Sequence, residues 1–142
     1  MNYSTRTADA VHLLVLIHQG QVDLVSEALA KSMASSPAHI RKLMAKLKKG
    51  NLIQSRQGKA CPKLAKDPKE ITLLDIYQIM EDGKCILHLD THTNPDCQHG
   101  IYIQKVLQEN YDSLQNKFEQ ELNSITLQSL IDQYCEKLQQ IK

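Results

Sequence analysis

The chain has 142 residues and a formal charge of +1, and 42% of its residues are apolar, which suffices for the core of one domain or of one domain with an appendage. It has no Trp and a single Phe, so that core is expected to be aliphatic. No apolar run reaches the roughly 18 residues that a membrane-spanning helix needs, and the first residues lack the apolar stretch of a signal peptide, which predicts a cytoplasmic protein.

The near-neutral charge hides two unlike halves. Residues 1–66 contain eleven Lys or Arg against three Asp or Glu, a net charge of +8, whereas residues 67–142 contain six against thirteen, a net charge of −7. A basic half suits a polyanion such as nucleic acid. The acidic half is then expected to serve another purpose, such as holding a partner chain or sensing a signal.

The basic half begins with two predicted helices, over residues 5–19 and 26–32, with Gly20 ending the first and a turn over 33–36 following the second. The apolar positions that recur at spacings of three and four on the first helix are Ala8, Val11, His12, Val15 and Leu16, with Leu14 as an alternative to Leu16. On this pattern His12 is a core histidine rather than a metal ligand.

A third helix is predicted from Pro37 to the residue before Gly50. The Ser36 hydroxyl can cap it, Pro37 suits its first position, and Gly50 is expected to end it as a left-handed cap. Its apolar stripe follows the spacing i, i+3, i+4, i+7 and consists of Ile40, Leu43, Met44 and Leu47. The remaining face is basic.

Two short strands follow, over residues 52–55 and 63–65, joined by a basic turn. A helix over 71–81 is capped by Thr72, and a polar loop over 82–94 contains Cys85, His88 and His92. A long helix then runs from about Pro95 or Gly100 to Ser124, and Thr126 caps a last one.

The long helix carries large apolar residues in steps of three and four, a rhythm close to that of a coiled coil. Those residues are Ile103, Leu107, Tyr111, Leu114, Phe118, Leu122 and Ile125. The stripe either packs back on its own domain or pairs with its copy in a second chain, and we favour a symmetric dimer. The predicted dimerisation residues are Leu107, Tyr111, Leu114, Phe118 and Leu122.

These elements predict a mainly α fold, a winged helix-turn-helix with a two-stranded β wing and a long C-terminal dimerisation helix. The DNA-binding domain is predicted over residues 1–68, and the sensor loop and helical dimerisation region over 69–142. In this geometry the start of the third helix reaches base edges and later residues meet phosphates. Ser35, Ser36, His39 and Arg41 are therefore candidates for base contacts. Candidates for phosphate contacts are Lys46, Lys48 and Lys49 on the helix and Arg56, Lys59 and Lys63 on the wing. The alternative is that the lysines form only a solvated face.

The chain resembles the IscR/NsrR/CymR group of small bacterial winged-helix regulators, and in particular its YwnA-like branch. The matching segments are Ser4-Thr5-Arg6, Ser36-Pro37, Arg41-Lys42-Leu43, residues 52–58, Lys66-Asp67-Pro68, residues 71–77, Asn94-Pro95-Asp96-Cys97 and Ile125-Thr126-Leu127. The resemblance implies a homodimeric transcriptional regulator, usually a repressor, whose DNA affinity responds to a bound cluster, a metabolite, a partner protein or an oxidant. Because the two recognition helices of a dimer read two half-sites, the expected partner is a palindromic DNA operator. The predicted DNA-contacting residues are then Thr5, Arg6, Ser35, Ser36, His39, Arg41, Lys42, Lys46, Arg56 and Lys59.

The chain departs from this group in two places. Cluster-binding relatives have three cysteines close together before the long helix, whereas this chain has only Cys85 and Cys97 there, twelve positions apart. Iron–sulfur clusters are held mainly by thiolates, so we expect no cofactor and no metal site, with a cluster as the alternative. The wing has Cys61 and Pro62 where relatives have glycines, which leaves its path open.

Cys97 is the predicted sensing residue, with Cys85 as a second candidate. If Asn94 caps the long helix and Pro95 is its first residue, Cys97 lies in the first turn, where the helix dipole stabilises a thiolate. The alternative is that Cys97 is a small buried apolar residue. Cys135, on the last helix, is expected to pack.

The function predicted from these patterns is a DNA-binding regulator that responds to thiol-reactive signals. The alternatives are control by a metabolite, a partner protein or a cluster, and a winged helix that binds only proteins. The sequence contains no nucleophile–base pair, phosphate loop or carboxylate dyad, so we expect no enzymatic activity and no catalytic residue.

Overall fold

The computed structural model describes residues 4–20, 23–55, 62–89 and 94–141. The elements in this part of the chain are α1 (Arg6–Gln19), α2 (Ser26–Ser32), α3 (Pro37–Lys49), β1 (Ile53–Ser55), β2 (Pro62–Leu64), α4 (Leu73–Met80), α5 (Gln98–Ser124) and α6 (Leu127–Ile141). The order of three helices, a hairpin and three further helices confirms the predicted mainly α winged helix. Within the described residues, no helix combines the length and the apolar character that crossing a membrane requires.

Helix α1 begins one residue later than predicted and ends at the predicted residue, but it buries a different face. Its buried residues are Ala10, Leu13, Leu14 and Ile17, whereas Ala8 and His12 are exposed. The prediction of His12 as a core histidine is therefore wrong. Residues 13–17 are all apolar, so spacing alone does not fix which side of the helix faces inward. Gly20 ends the helix as predicted, with φ +64° and its N–H donating to the Leu16 carbonyl.

Helix α3 lies across α2 after a tight turn in which Ala34 takes a left-handed φ of +51°. Ser36 caps α3 as predicted, since its Oγ accepts from the His39 N–H at 3.2 Å. Gly50 is not the left-handed cap, because its φ is −82° and Asn51 has the positive φ of +61°. The space at position 50 is limited instead by α4: a Cβ there would overlap the Ile79 side chain, which would have to shift.

Strands β1 and β2 pair antiparallel, with Ile53 opposite Leu64 and Ser55 opposite Pro62. Leu52 and Ile53 are buried, so the base of the wing belongs to the core. Residues 56–61 join the strands, and the predicted wing residues Arg56, Lys59 and Cys61 lie outside the described residues.

Helix α4 starts with a reciprocal capping box. The Thr72 hydroxyl accepts from the Asp75 N–H, and the Asp75 carboxylate accepts from the Thr72 N–H. Backbone hydrogen bonds from Leu73 to the Ile125 carbonyl and from Leu127 to the Ile71 carbonyl join the start of α4 to the start of α6. These bonds bring α6 back against the first helices.

The hydrophobic core draws on α1, α2, α3, β1, α4 and α6. Leu127 and Ile131 of α6 are buried in it, and Cys135 packs against it as predicted. Helix α5 buries only Leu122 among its residues, and Leu122 lies outside the core cluster. The longest helix therefore contributes little to the fold of one chain. The division of the chain at residue 68 stays a prediction.

Replacing Leu127 with Ala tests whether α6 is part of this core. Leu127 is 0% exposed. We expect the free energy of unfolding to fall by about 2–5 kcal/mol, because the substitution removes buried methyl groups and leaves a cavity. Urea unfolding measured by circular dichroism provides the value.

Ile141→Ala serves as the control, because Ile141 is 81% exposed on the same helix. The control is expected to change stability by less than about 0.5 kcal/mol. Equal effects of the two substitutions would contradict the placement of α6 in the core.

Candidate nucleic-acid interface

One face of α3 is basic and exposed while the opposite face is buried. Ile40, Leu43 and Leu47 point into the core, and Arg41 and Lys42 are exposed on the outer side. The exposed outer face also contains Ala38, Ala45, Lys48 and Lys49. Burial of one side thus presents a row of cations on the other.

A groove lies between α2, α3 and the base of the wing. It is lined by Ser26 and Glu27 of α2, Arg41 and Lys48 of α3, and Ser55 of β1, among others. The base of the wing and the basic helix therefore share one surface, as a winged helix requires for DNA binding.

The start of α3 is tied to the start of α1. His39 Nε2 donates to Asp9 Oδ2 at 3.0 Å, and Thr5 Oγ1 donates to the same oxygen at 3.5 Å. Ser35 is half-buried in the turn, and Ser36 is exposed and caps the helix. Two predicted contact residues, Thr5 and His39, thus meet at one carboxylate.

Lys46 lies one turn after Lys42 on the same side of α3 and lines the same groove, but it is half-buried and its ammonium group is held within the chain. Its Nζ donates to Asp82 Oδ1 and Oδ2, each at 3.0 Å, and to the Met80 carbonyl at 3.3 Å. The hydrogen bond and the charge of Lys46 hold the pKa of the Asp82 carboxyl below its ordinary value. Arg6 lines the same groove as Lys46 and Asp82, and its charge acts on Asp82 in the same direction. The sequence does not predict the Lys46–Asp82 ion pair, because no motif spacing indicates a contact between residues 36 positions apart.

The segment that follows α4 is held by hydrogen bonds on several sides. Glu81 accepts from the Thr7 hydroxyl of α1 at 3.3 Å, and the Lys84 carbonyl accepts from the Tyr77 hydroxyl at 2.8 Å. On α5, the Gln115 side-chain oxygen accepts from the Ile86 N–H at 3.1 Å. We call residues 81–89 the connecting segment, since it contacts both the first helix and the long helix.

The two candidate sensing cysteines, Cys85 and Cys97, lie in different surroundings. Cys97 is not in the first turn of α5 as predicted but at its N-cap, with Gln98 as the first helical residue. Asn94 starts a separate turn instead, in which its side-chain oxygen accepts from the Asp96 N–H. Cys97 is half-buried and Cys85 is exposed on the connecting segment, and both are free thiols. The N-cap still lies at the positive end of the helix dipole.

The predicted dimerisation residues of α5 differ in exposure. Leu107 and Leu114 are 39% and 51% exposed, Tyr111 and Phe118 are half-buried, and Leu122 is buried within the chain. Phe118 makes an edge-on contact with Tyr77 of α4 at 5.4 Å between ring centroids. The start of α5 adds exposed apolar residues that the prediction omitted, namely Ile101, Tyr102 and Val106.

Curated relatives and solved structures resemble this chain along most of its length. YwnA of Bacillus subtilis (strain 168), which carries the description HTH-type transcriptional regulator, is 33% identical over 129 residues, 91% of this chain and 96% of its own. A crystal structure described as a DNA-binding protein has a TM-score of 0.73 and 33% identity over 89% of this chain and 98% of its own.

More distant structures share the fold. IscR of T. potens has a TM-score of 0.67 and 21% identity over 94% of this chain and 88% of its own. CymR, described as the global cysteine regulator of B. subtilis, has a TM-score of 0.64 and 20% identity over 93% of this chain and 97% of its own. Residues 3–133 match the Rrf2 family, described as iron-dependent transcriptional regulators. The chain therefore belongs to the Rrf2 family and is a DNA-binding transcriptional regulator.

Proposed function

We propose that this regulator binds duplex DNA through the outer face of α3, with the wing beside it. The observation that carries the proposal is the exposure of Arg41 and Lys42 on a helix whose opposite face is buried. The major groove of DNA admits a helix of this kind, and guanidinium and ammonium groups contact base edges and phosphates. Binding by this face acts as repression when the operator overlaps a promoter.

We propose further that the regulator works as a homodimer on a palindromic operator. Leu107 and Leu114 are exposed on α5, a helix that takes little part in the core of one chain. Burial of such a face against its copy removes apolar surface from water. A two-fold dimer then places two copies of α3 on half-sites about 34–36 Å apart.

We propose a thiol response at Cys97. Cys97 is a free, half-buried thiol at the N-cap of α5, and the thiolate is the form of a cysteine that reacts with oxidants. Oxidation of Cys97 and a thiol of the second subunit by a peroxide would form one S–S bond. The two thiols would give up two electrons and two protons, and the peroxide would be reduced to water or to water and an alcohol. Such a bond would alter the spacing of the two recognition helices.

The family description names iron, but the described ligands of this chain do not match a metal centre. Cys85 and Cys97 are the thiols around the connecting segment and the start of α5. Within 4–20, 23–55, 62–89 and 94–141, no three His, Cys, Asp or Glu side chains come together as ligands. We therefore propose no step that depends on iron.

The proposed activity is DNA binding rather than catalysis. The proposed location of the protein is the cytoplasm. Family membership makes the chain a regulator of transcription, for which binding to DNA suffices. Duplex DNA is its proposed ligand, and in bacteria the cytoplasm is where that ligand lies. No reaction is assigned to any residue.

Reversing the charges at Arg41 and Lys42 tests the DNA-binding face. We expect R41E/K42E to lower affinity for an operator more than about tenfold at physiological salt. The slope of log K against log salt should fall by about 1 for each lost phosphate contact. Fluorescence anisotropy over a salt series measures both quantities.

The matched control is K117E/K137E, which makes the same change in net charge on exposed positions of α5 and α6. It should leave the operator affinity within about threefold of the wild type, because those lysines lie outside the proposed DNA-binding face. An equal loss in both variants would show that only overall charge matters.

Placing charges on the exposed stripe of α5 tests the dimer. We expect L107D/L114D to sediment as a single chain, because an apolar interface offers no partner to offset the cost of removing carboxylates from water. S113D/N116D adds the same charge on exposed polar positions of α5 and should still sediment as two chains. A wild-type protein that sediments as one chain would rule out the proposed dimer.

Cys97→Ser tests the thiol response. Peroxide is expected to lower the operator affinity of the wild type and to leave that of C97S unchanged, since serine cannot form the disulfide. Cys135→Ser is the control, because Cys135 packs against the core and should leave the response intact. If C97S loses affinity in peroxide as the wild type does, Cys97 is not the sensor.

A further inference from the structure

Lys46 differs from the other lysines of α3 in having its ammonium group held by acceptors of the same chain. Two of these are the Asp82 carboxylate oxygens and the third is the Met80 carbonyl, all within 3.3 Å. An ammonium group has three hydrogens to donate, and both the Asp82 carboxylate and the Met80 carbonyl accept from this one. Its side chain is 37% exposed, whereas Lys42, one turn earlier on the same side of α3 and lining the same groove, is exposed.

We propose that the Lys46–Asp82 ion pair positions the recognition helix, so that Lys46 supports DNA binding without contacting a phosphate. This inference rests on the proposed function of α3 as the DNA-binding helix. Lys46 is then a positioning residue that acts through the helix bearing Arg41 and Lys42.

The partner of Lys46 lies in a turn with a defined backbone shape. Asp82 and Gly83 have φ values of +54° and +73°, so the chain reverses sharply after α4 and brings the carboxylate toward α3. The preceding residue, Glu81, accepts a hydrogen bond from Thr7 of α1. Two consecutive residues therefore hold two of the three helices of the DNA-binding region.

The same segment continues to α5. The Tyr77 hydroxyl donates to the Lys84 carbonyl, and Gln115 of α5 contacts both Ile86 N–H and the Tyr77 hydroxyl. The position of α3 is thus coupled through Lys46 and Asp82 to the helix proposed to form the dimer. The ion pair can shift the binding equilibrium by no more than its own free energy, which limits the expected effect.

The alternative is that Lys46 leaves Asp82 and binds a DNA phosphate. The two roles differ in the effect of removing the Asp82 charge. If Asp82 only masks Lys46, D82N should tighten DNA binding and steepen its salt dependence, since each phosphate contact contributes about 0.9 to the slope. If the ion pair positions α3, D82N should weaken binding although the protein has become more positive.

The test compares K46Q, D82N, K46Q/D82N and D82E in the full-length protein, bound to an operator duplex over a salt series. We expect K46Q and D82N each to lower the affinity for the operator duplex about two- to fivefold for each subunit bound. This range corresponds to the free energy that a partly exposed ion pair contributes. Both should keep the wild-type salt slope. The double variant should lose no more than the weaker-binding single variant, because both changes break one interaction. D82E keeps a carboxylate and should recover most of the affinity.

K42Q is the matched control, because it removes one lysine charge from the outer face of the same helix. It should reduce the salt slope by about 0.9 per subunit. Circular dichroism at the binding temperature checks that each variant is folded. If K46Q does not fold, the affinity of D82N alone decides whether the ion pair positions α3.

Three results would overturn the inference: tighter binding by D82N, a loss of slope in K46Q equal to that in K42Q, or wild-type affinity in both K46Q and D82N. If K42Q and R41E/K42E also bound as the wild type does, the proposed DNA-binding face itself would be wrong and the positioning role would fail with it.

Discussion

Burial of the apolar side of α3 is the constraint on which the proposed DNA-binding surface depends. Ile40, Leu43 and Leu47 are almost fully buried against the other helices. Burying each such side chain contributes on the order of 1.5–3 kcal/mol. Because these residues recur along one side of the helix, their burial fixes its rotation and directs Arg41 and Lys42 outward. Ser36 at one end and the close approach of Gly50 to Ile79 at the other fix where the helix lies along its axis.

Helix α5 follows a different logic from the rest of the chain. The other long helices, α1, α3 and α6, each bury a stripe in the shared core, whereas α5 contacts the body through a few residues such as Gln115 and Phe118. Its apolar surface is therefore left for another use, and the proposed dimer supplies one. On that proposal the core folds one subunit and α5 sets the distance between two recognition helices.

Much of the fold was predictable, because the signals that specify it are local. The Ser36 cap, the spacing of the apolar residues of α3 and the capping residue Thr72 each appear within a few positions of the sequence. The errors arose where local patterns are degenerate or where distant residues decide. The unbroken apolar run over residues 13–17 did not reveal which face of α1 is buried. Gly50 does not form the predicted left-handed cap, and its backbone instead lies close to the Ile79 side chain of α4.

The candidate site shows the same limit more strongly. Exposure of Arg41 and Lys42 follows from the amphipathic pattern of α3, but the contacts of His39 and Lys46 depend on Asp9 and Asp82, which lie 30 and 36 positions away. Sequence spacing contains no record of such pairs. It also placed Cys97 inside α5 rather than at its cap, since Asn94 has the side chain of a helix cap but starts a different turn.

The division of charge along the chain acquires a further meaning from these contacts. Glu81 and Asp82 belong to the acidic half, yet their side chains contact Thr7 and Lys46 in the basic half. The two halves are therefore not separate electrostatic units, since the connecting segment of the acidic half contacts helices of the basic half. A carboxylate in the connecting segment and the phosphates of DNA both attract the cationic side chains of α3. A change in the connecting segment thus alters either how α3 is held or which cations face the DNA. On these proposals, the connecting segment, rather than the basic helix alone, is where a signal from α5 would reach the proposed DNA-binding surface.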